Sequence, residues 1–199
     1  MILEPGEHDV PHGALAAVVT YLEMRRPVAI PAHTSLPPGV TLRRVERPEP
    51  DWYRDLFMRV GALDWLWTSR LRMPADRLAA ILASADVEVR AVEAGGRAEG
   101  LLELDFREPG ACELAFFGVT AALQGCGVGR AMMDVAIARA FERPVDRFHV
   151  HTCTLDSPAA LPFYLRAGFR AVRRSVEVFE DPRAGGLVPE GAAPRVPRL

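Results

Sequence analysis

Apolar and polar positions along the chain change their period several times, and each change marks an element. Between residues 13 and 24, Leu15, Val18, Val19 and Leu22 recur three and four apart, which predicts an amphipathic helix over Gly13 to Met24. The proline-rich run RRPVAIPAHTSLPPG follows, so residues 1–38 read as an N-terminal extension. Its one helix must bury its stripe on the main domain or on a second subunit. From Val40 the order becomes regular. VTLRRVE alternates as a strand does, residues 50–67 read as one or two helices, and Pro74 stands near the start of another that runs to Ala83.

VEVRAVEA and AEGLLELDF flank Gly95-Gly96 and predict a hairpin, and CELAFFGVT predicts a third strand. A helix is expected from about Val128 to Phe141, with Val128, Met132, Val135 and Ala136 facing inward. RFHVHTCT then reads as a strand and residues 159–167 as a short helix closed by Gly168, and AVRRSVEVF is the last strand. The order strand, helices, three strands, helix, strand, helix, strand predicts an α/β (α+β) fold with a mixed sheet covered by helices. The expected division is an extension over 1–38, one domain over 39–180 and a mobile tail over 181–199, where PRAGGLVPEGAAPRVPR offers little to pack.

Composition narrows what such a domain does. With 49% hydrophobic residues in 199, the chain has material for one sizeable core. A net charge of -2, with adjacent arginines only in pairs such as Arg43-Arg44 and Arg173-Arg174, argues against a nucleic-acid partner. Glu4, Glu7 and Asp9 stand where a signal peptide carries positive charge, and the following apolar stretch is short. No membrane association and a cytoplasmic setting are therefore expected. Cys112, Cys126 and Cys153 are too few and too dispersed for a disulfide framework or a zinc knuckle.

The segment with the most specific chemistry is LQGCGVGRAMM, residues 123–133. Glycine lets backbone N–H groups converge, and a helix start adds free donors and positive dipole, so an anion such as phosphate belongs there. The GxxxxGK[ST] loop is excluded because the chain contains no lysine, and GxGxxG fails because the third glycine position is Arg130. What remains is Gln124-Gly125-Cys126-Gly127-Val128-Gly129, a Q-x-x-G-x-G run between strand and helix. A strand, a short tyrosine-bearing helix and a Gly-Phe pair follow in LDSPAALPFYLRAGF.

Together these features resemble the GNAT superfamily of acetyl-CoA-dependent N-acetyltransferases, over about Val40 to Glu180. The sequence departs from that pattern before the last helix, where Asp156 or Ser157 stands near the place of the usual asparagine. The resemblance implies a mostly antiparallel sheet flanked by helices, with the extra N-terminal helix outside it. It implies acetyl-CoA as co-substrate and no metal. The coenzyme would be bound by Gln124, Gly125, Cys126, Gly127, Val128, Gly129 and Arg130, with backbone groups of Phe117, Gly118 and Val119 exposed by splayed strands. Gly118 eases a bulge in that strand. By the same resemblance Glu113 is the general base and Tyr164 the acid that protonates the leaving thiolate.

His149, His151 and Cys153 fall on one strand face, which suits a rival base at His151 or a metal ion, although nothing nearby completes a metal set. Asp64, Trp65 and Trp67 are candidates for the acceptor site, through an apolar wall, cation stacking and attraction of an amine. The acceptor is a small-molecule or peptide amine, and the protein a monomer or homodimer. A non-catalytic acyl-CoA-sensing module is the second reading, and a metal hydrolase using His149 and His151 the third.

Overall fold

The computed structural model describes residues 3–29 and 35–198; positions 30–34 of the expected proline-rich extension lie outside the described residues, as do 1, 2 and 199. Seven strands form one sheet: β1 (Ala14–Met24), β2 (Val40–Val45), β3 (Val87–Ala94), β4 (Arg97–Asp105), β5 (Ala111–Val119), β6 (Arg147–Cys153) and β7 (Arg170–Glu180). Their spatial order is β2-β3-β4-β5-β6-β1-β7. All neighbours are antiparallel except β5 and β6, which are parallel. This is the mixed, mostly antiparallel sheet expected. Gly95 and Gly96, both at positive φ, make the two-residue turn of the β3–β4 hairpin, a backbone that L side chains resist.

Helices cover both faces. The first is α1 (Pro50–Phe57), which passes through a π-helical stretch at Met58–Ala62 into the single turn α2 (Leu63–Trp65). Next come α3 (Ser69–Arg72) and α4 (Ala75–Leu82). Tyr53, Leu56, Phe57 and Val60 from the α1 region join Leu78 and Leu82 of α4 in a cluster with Val89, Ala91 and Leu101 of the sheet. On the opposite face, α5 (Val128–Ala140) and α6 (Ala160–Arg166) bury Val128, Met132, Met133, Ile137 and Tyr164 against Leu102, Leu104, Leu114 and Phe148. β4 therefore contributes Leu101 to one layer and Leu102 and Leu104 to the other, each side chain worth about 1.5–3 kcal/mol when fully buried.

The expected N-terminal helix is not formed: Ala14–Met24 is strand β1, inserted between β6 and β7. Val19 pairs with Cys153 on one side and Ser175 on the other. The spacing of Leu15, Val18, Val19 and Leu22 mimics a helical stripe because the buried face of this strand switches midway, from Ala17 and Val19 on one face to Thr20, Leu22 and Met24 on the other. The switch breaks the alternation at Val19-Thr20, and the β-formers Val18, Val19, Thr20 and Tyr21 are the remaining strand signal. The segment expected to stand apart is thus an interior strand of the sheet.

The C-terminal segment also packs, contrary to expectation. Val188, Ala192 and Ala193 are buried against Ala62 and Leu66, and the Ala193 N–H donates to the Leu63 carbonyl at 2.7 Å. Arg183 ties it together, paired with Asp181 at 2.7 Å and donating to the Val196 carbonyl at 2.8 Å. Small apolar residues and one buried arginine do here what a long hydrophobic run does elsewhere.

Candidate active site

The parallel pairing of β5 with β6 covers only Ala111↔Arg147, Cys112↔Phe148 and Glu113↔His149. Beyond that point β6 continues beside β1, and β5 keeps only its β4 neighbour. The strands diverge, and the free edge of β5 opens into a cleft of about 620 Å³ lined by Leu114 to Val119 on one side and Val150, His151 and Cys153 on the other. A bulge contributes: Glu103 pairs with Phe116 but Leu104 with Leu114, so Ala115 is the extra residue in β5. The sequence had suggested Gly118 for the bulge. Its role is close packing instead, since a Cβ there would lie 2.8 Å from Val60 Cγ1.

At the far end of the cleft a 3₁₀ turn, Ala121–Leu123, leads into the glycine run. Gly125 and Gly127 have φ of +75° and +80°, and Gly127 is the N-cap of α5. A Cβ at either would meet nothing within 4 Å, so the positive φ, and not crowding, explains these glycines. Gln124, Gly125, Gly127 and Gly129 line the cleft. The first N–H groups of α5 have no partner within the helix and carry its positive dipole, which suits a diphosphate. The other predicted members are placed differently. Cys126 is exposed beside the loop, Val128 turns its side chain into the core, and Arg130 pairs with Asp134 at 3.1 Å in a smaller neighbouring pocket.

Tyr164 of α6 lies in the cleft wall among Phe117, Phe163 and Phe169, and burial pushes its phenol well above the ordinary range, so it holds its proton at neutral pH. Glu113 and His151 form a pair, with Oε1 3.5 Å from Nδ1. Bonding to the imidazole lowers the Glu113 carboxyl, and the carboxylate raises His151. His149 is pulled down by burial. Of the pair, His151 is the one that lines the cleft. Among the described residues no group of three or more His, Cys, Asp or Glu could hold a metal ion.

The opposite wall is aromatic. Trp67 packs between Phe57 and Phe116, with ring centroids 5.6 and 5.5 Å away. It reaches that place because Gly61 has no side chain; a Cβ there would sit 1.9 Å from the indole. The indole Nε1 donates to Asp156 Oδ1 at 3.0 Å, while Asp156 Oδ2 accepts from the Thr152 hydroxyl and the Cys153 N–H, both at 2.8 Å. Asp156 thereby ties the end of β6 to the helical wall, a role that sequence reasoning missed although it noticed the residue. Trp65 also lines the cleft and lies under Arg195 of the C-terminal segment, whose guanidinium is 4.5 Å from the ring centre. Asp64 is exposed and outside the cleft lining. Glu177 and Phe179 of β7 complete the rim; both stand in a segment whose alternation was legible, but their neighbour across the strand was β1, the misread element.

Behind the wall, Glu103 is fully buried and accepts from the Tyr53 hydroxyl and from Arg70, which also lies over the Phe116 ring at 5.0 Å. This network pins α1 and α3 to β4 and fixes the aromatic wall.

A glycine-rich helix start, a splayed strand pair and a buried phenol share one cleft. Residues 51–169 match the model of the acetyltransferase (GNAT) family, and the chain belongs to that family. No curated protein matches it in sequence. Among solved structures it is similar to a functionally unknown conserved protein from Staphylococcus epidermidis, at TM-score 0.59 and 14% identity over 85% of this chain and 64% of that one. It is similar also to a GCN5-related N-acetyltransferase from Sphaerobacter thermophilus, at TM-score 0.60 and 16% identity over 83% and 51%. An aminoglycoside acetyltransferase from an uncultured soil metagenomic sample aligns at TM-score 0.56 and 14% identity over 72% and 96%. The chain spans less than two thirds of the length of the first two. At these identities the likeness is one of fold.

Proposed function

We propose that the protein transfers an acetyl group from acetyl-CoA to a primary amine by direct attack. The observation that carries this reading is the end of β5–β6 pairing at Glu113↔His149, which opens one cleft between the glycine-rich start of α5 and the tryptophan wall. The Gln124–Gly129 turn and the start of α5 would hold the diphosphate. The free edge of β5 at Phe117 to Val119 would bind the pantetheine amides as an added strand.

Amine attack on the thioester carbonyl needs a neutral nucleophile, and an amine of pKa near 10 needs a base. The Glu113–His151 pair supplies it, with His151 on the cleft side and Glu113 orienting the ring. As the tetrahedral oxyanion forms, a β5 backbone N–H stabilises it, an effect of about a hundred- to a thousandfold in such sites. On collapse the C–S bond breaks and Tyr164 donates its proton to the sulfur, giving free thiol and amide. Trp65, Trp67 and Phe179 favour an acceptor with an apolar body behind its amine.

Incubation with acetyl-CoA and a panel of amines, read by release of free thiol, tests the reading. Turnover with at least one amine is expected. Tight acetyl-CoA binding with no turnover on any amine would instead favour a sensing module.

A further inference from the structure

β7 is the last strand in the sheet, and its outer edge has no strand beside it among the described residues. Edges of this kind are usually blunted, and β7 bulges at Val172, yet the regular strand beyond it carries exposed Val176 and Val178, at 47% and 52%. Val18 of β1, which pairs with Val176, is 42% exposed and extends the apolar stripe inward. Such a stripe on a long edge strand marks an association surface.

The charges on the same strand say what fits it. β7 is basic in its first half, with Arg170, Arg173 and Arg174, and acidic in its second, with Glu177 and Glu180. A strand with that polarity is complementary to itself run antiparallel. We infer that a second copy of this chain adds its β7 to this edge, antiparallel across a twofold axis at Ser175, so that Arg173 of each copy faces Glu177 of the other.

In a twofold antiparallel pairing each residue and its opposite point to the same side, so one residue must face its own copy across the axis. Centred on Ser175, the register sets Arg173 against Glu177 twice, within the regular part of β7 that follows its bulge at Val172, and puts a small hydroxyl on the axis. Centred two residues further on, it would set Glu177 against its own copy, a like-charge contact that destabilises. Arg173 is already held on the required side, its guanidinium 3.6 Å from the centre of the Tyr21 ring. Glu177 lines the rim of the cleft, so the pairing also brings the second copy's Arg173 to that rim. Two sheets then become one, and Val176 of each copy is covered by the aliphatic stem of the other copy's Arg174.

Sedimentation of the full chain tests this, with a dimer expected at micromolar concentration. Arg173→Glu and Glu177→Arg should each raise the dimer dissociation constant at least about tenfold, and the two together should restore it. A register test independent of charge uses Ser175→Cys in a Cys126→Ser background. Two such cysteines would face each other within disulfide reach and should oxidise to a covalent dimer, whereas Glu177→Cys in the same background should not. A monomeric wild-type chain, single charge variants that dimerise as well as the wild type, a double swap that fails to recover, or equal cross-linking at 175 and 177 would each overturn the inference. A monomer that binds some other polypeptide along β7 would overturn it too.

Discussion

Two of the unpaired strand edges in this sheet, those of β5 and β7, differ in what surrounds them. The β5 edge past Glu113 opens inward, between aromatic walls and beside a helix start. The β7 edge opens outward, with valines at the surface and charges sorted along its length. Both expose main-chain donors and acceptors. The first is enclosed and polar only at chosen points, as a small-molecule site must be; the second is long, open and self-complementary, as a protein contact must be. Surroundings, not the unpaired backbone, decide what an edge can bind.

The sharpest way to break the inner half of that comparison is Gly127→Glu. It forces φ of +80° on a residue with a Cβ and sets a carboxylate where a diphosphate is to rest. Calorimetric titration with coenzyme A is expected to show affinity reduced at least about a hundredfold, since one close like-charge contact in place of a favourable one costs several kcal/mol. Gly127→Asn, which tolerates that backbone, should keep most of the affinity and so separate charge from strain.

Next in size is Tyr164→Phe. With the fold intact by circular dichroism, kcat should fall by about a hundredfold while coenzyme A affinity stays near the wild-type value, as loss of a general acid predicts. Equal loss in both would mean that the phenol serves binding.

Arg70→Met probes the support of the inner wall. It leaves the fully buried Glu103 with only Tyr53 as partner, and chemical denaturation should show a loss of about 3–5 kcal/mol. Arg70→Lys, which keeps the charge but not the fork, should recover part of it.

The smallest effect expected is a shift of pH profile. His151 in the folded chain sits above its ordinary 6.5 because of Glu113, with Asp156 and Glu177 adding to the rise. If the neutral ring accepts the proton, kcat/KM climbs with pH through that raised value. Glu113→Gln removes the main cause, so the acid limb should move to lower pH. The pair's contribution to stability has the matching signs. The His151 part is full below 6.5 and fades as pH rises through its folded pKa; the Glu113 part is present above its ordinary 4.5 and fades as pH falls through its lowered one. An acid limb unmoved by Glu113→Gln would remove the pair from the mechanism.

Much of the architecture was legible because period and punctuation agreed. Gly95-Gly96, the alternation of β3 and β4 and the glycine run before Val128 each point to one element only, and each element formed there. The inner cleft was half legible. Gln124, Gly125, Gly127 and Tyr164 lie on it because local backbone chemistry and short-range order place them. What failed was long-range. The spacing of Leu15 and Leu22 cannot reveal that a strand will be enclosed on both sides by β6 and β7, and nothing near Trp67 announces its bond to Asp156. Asp64 and Trp65 are adjacent in sequence, yet only Trp65 reaches the cleft, because successive positions on the single turn α2 point about 100° apart.

The placement of β1 constrains how this chain can reach its native state. Ladder bonds on both flanks of β1 come from strands near the other end of the sequence, so it gains nothing until those have been made. Assembly should therefore proceed from the β3–β4 hairpin outward and close late, by threading an early segment into a slot that forms last. Until then the slot between β6 and β7 stays open to the same strand from any neighbouring molecule, which makes exchange of β1 between chains the misassembly most to be expected during refolding at high concentration.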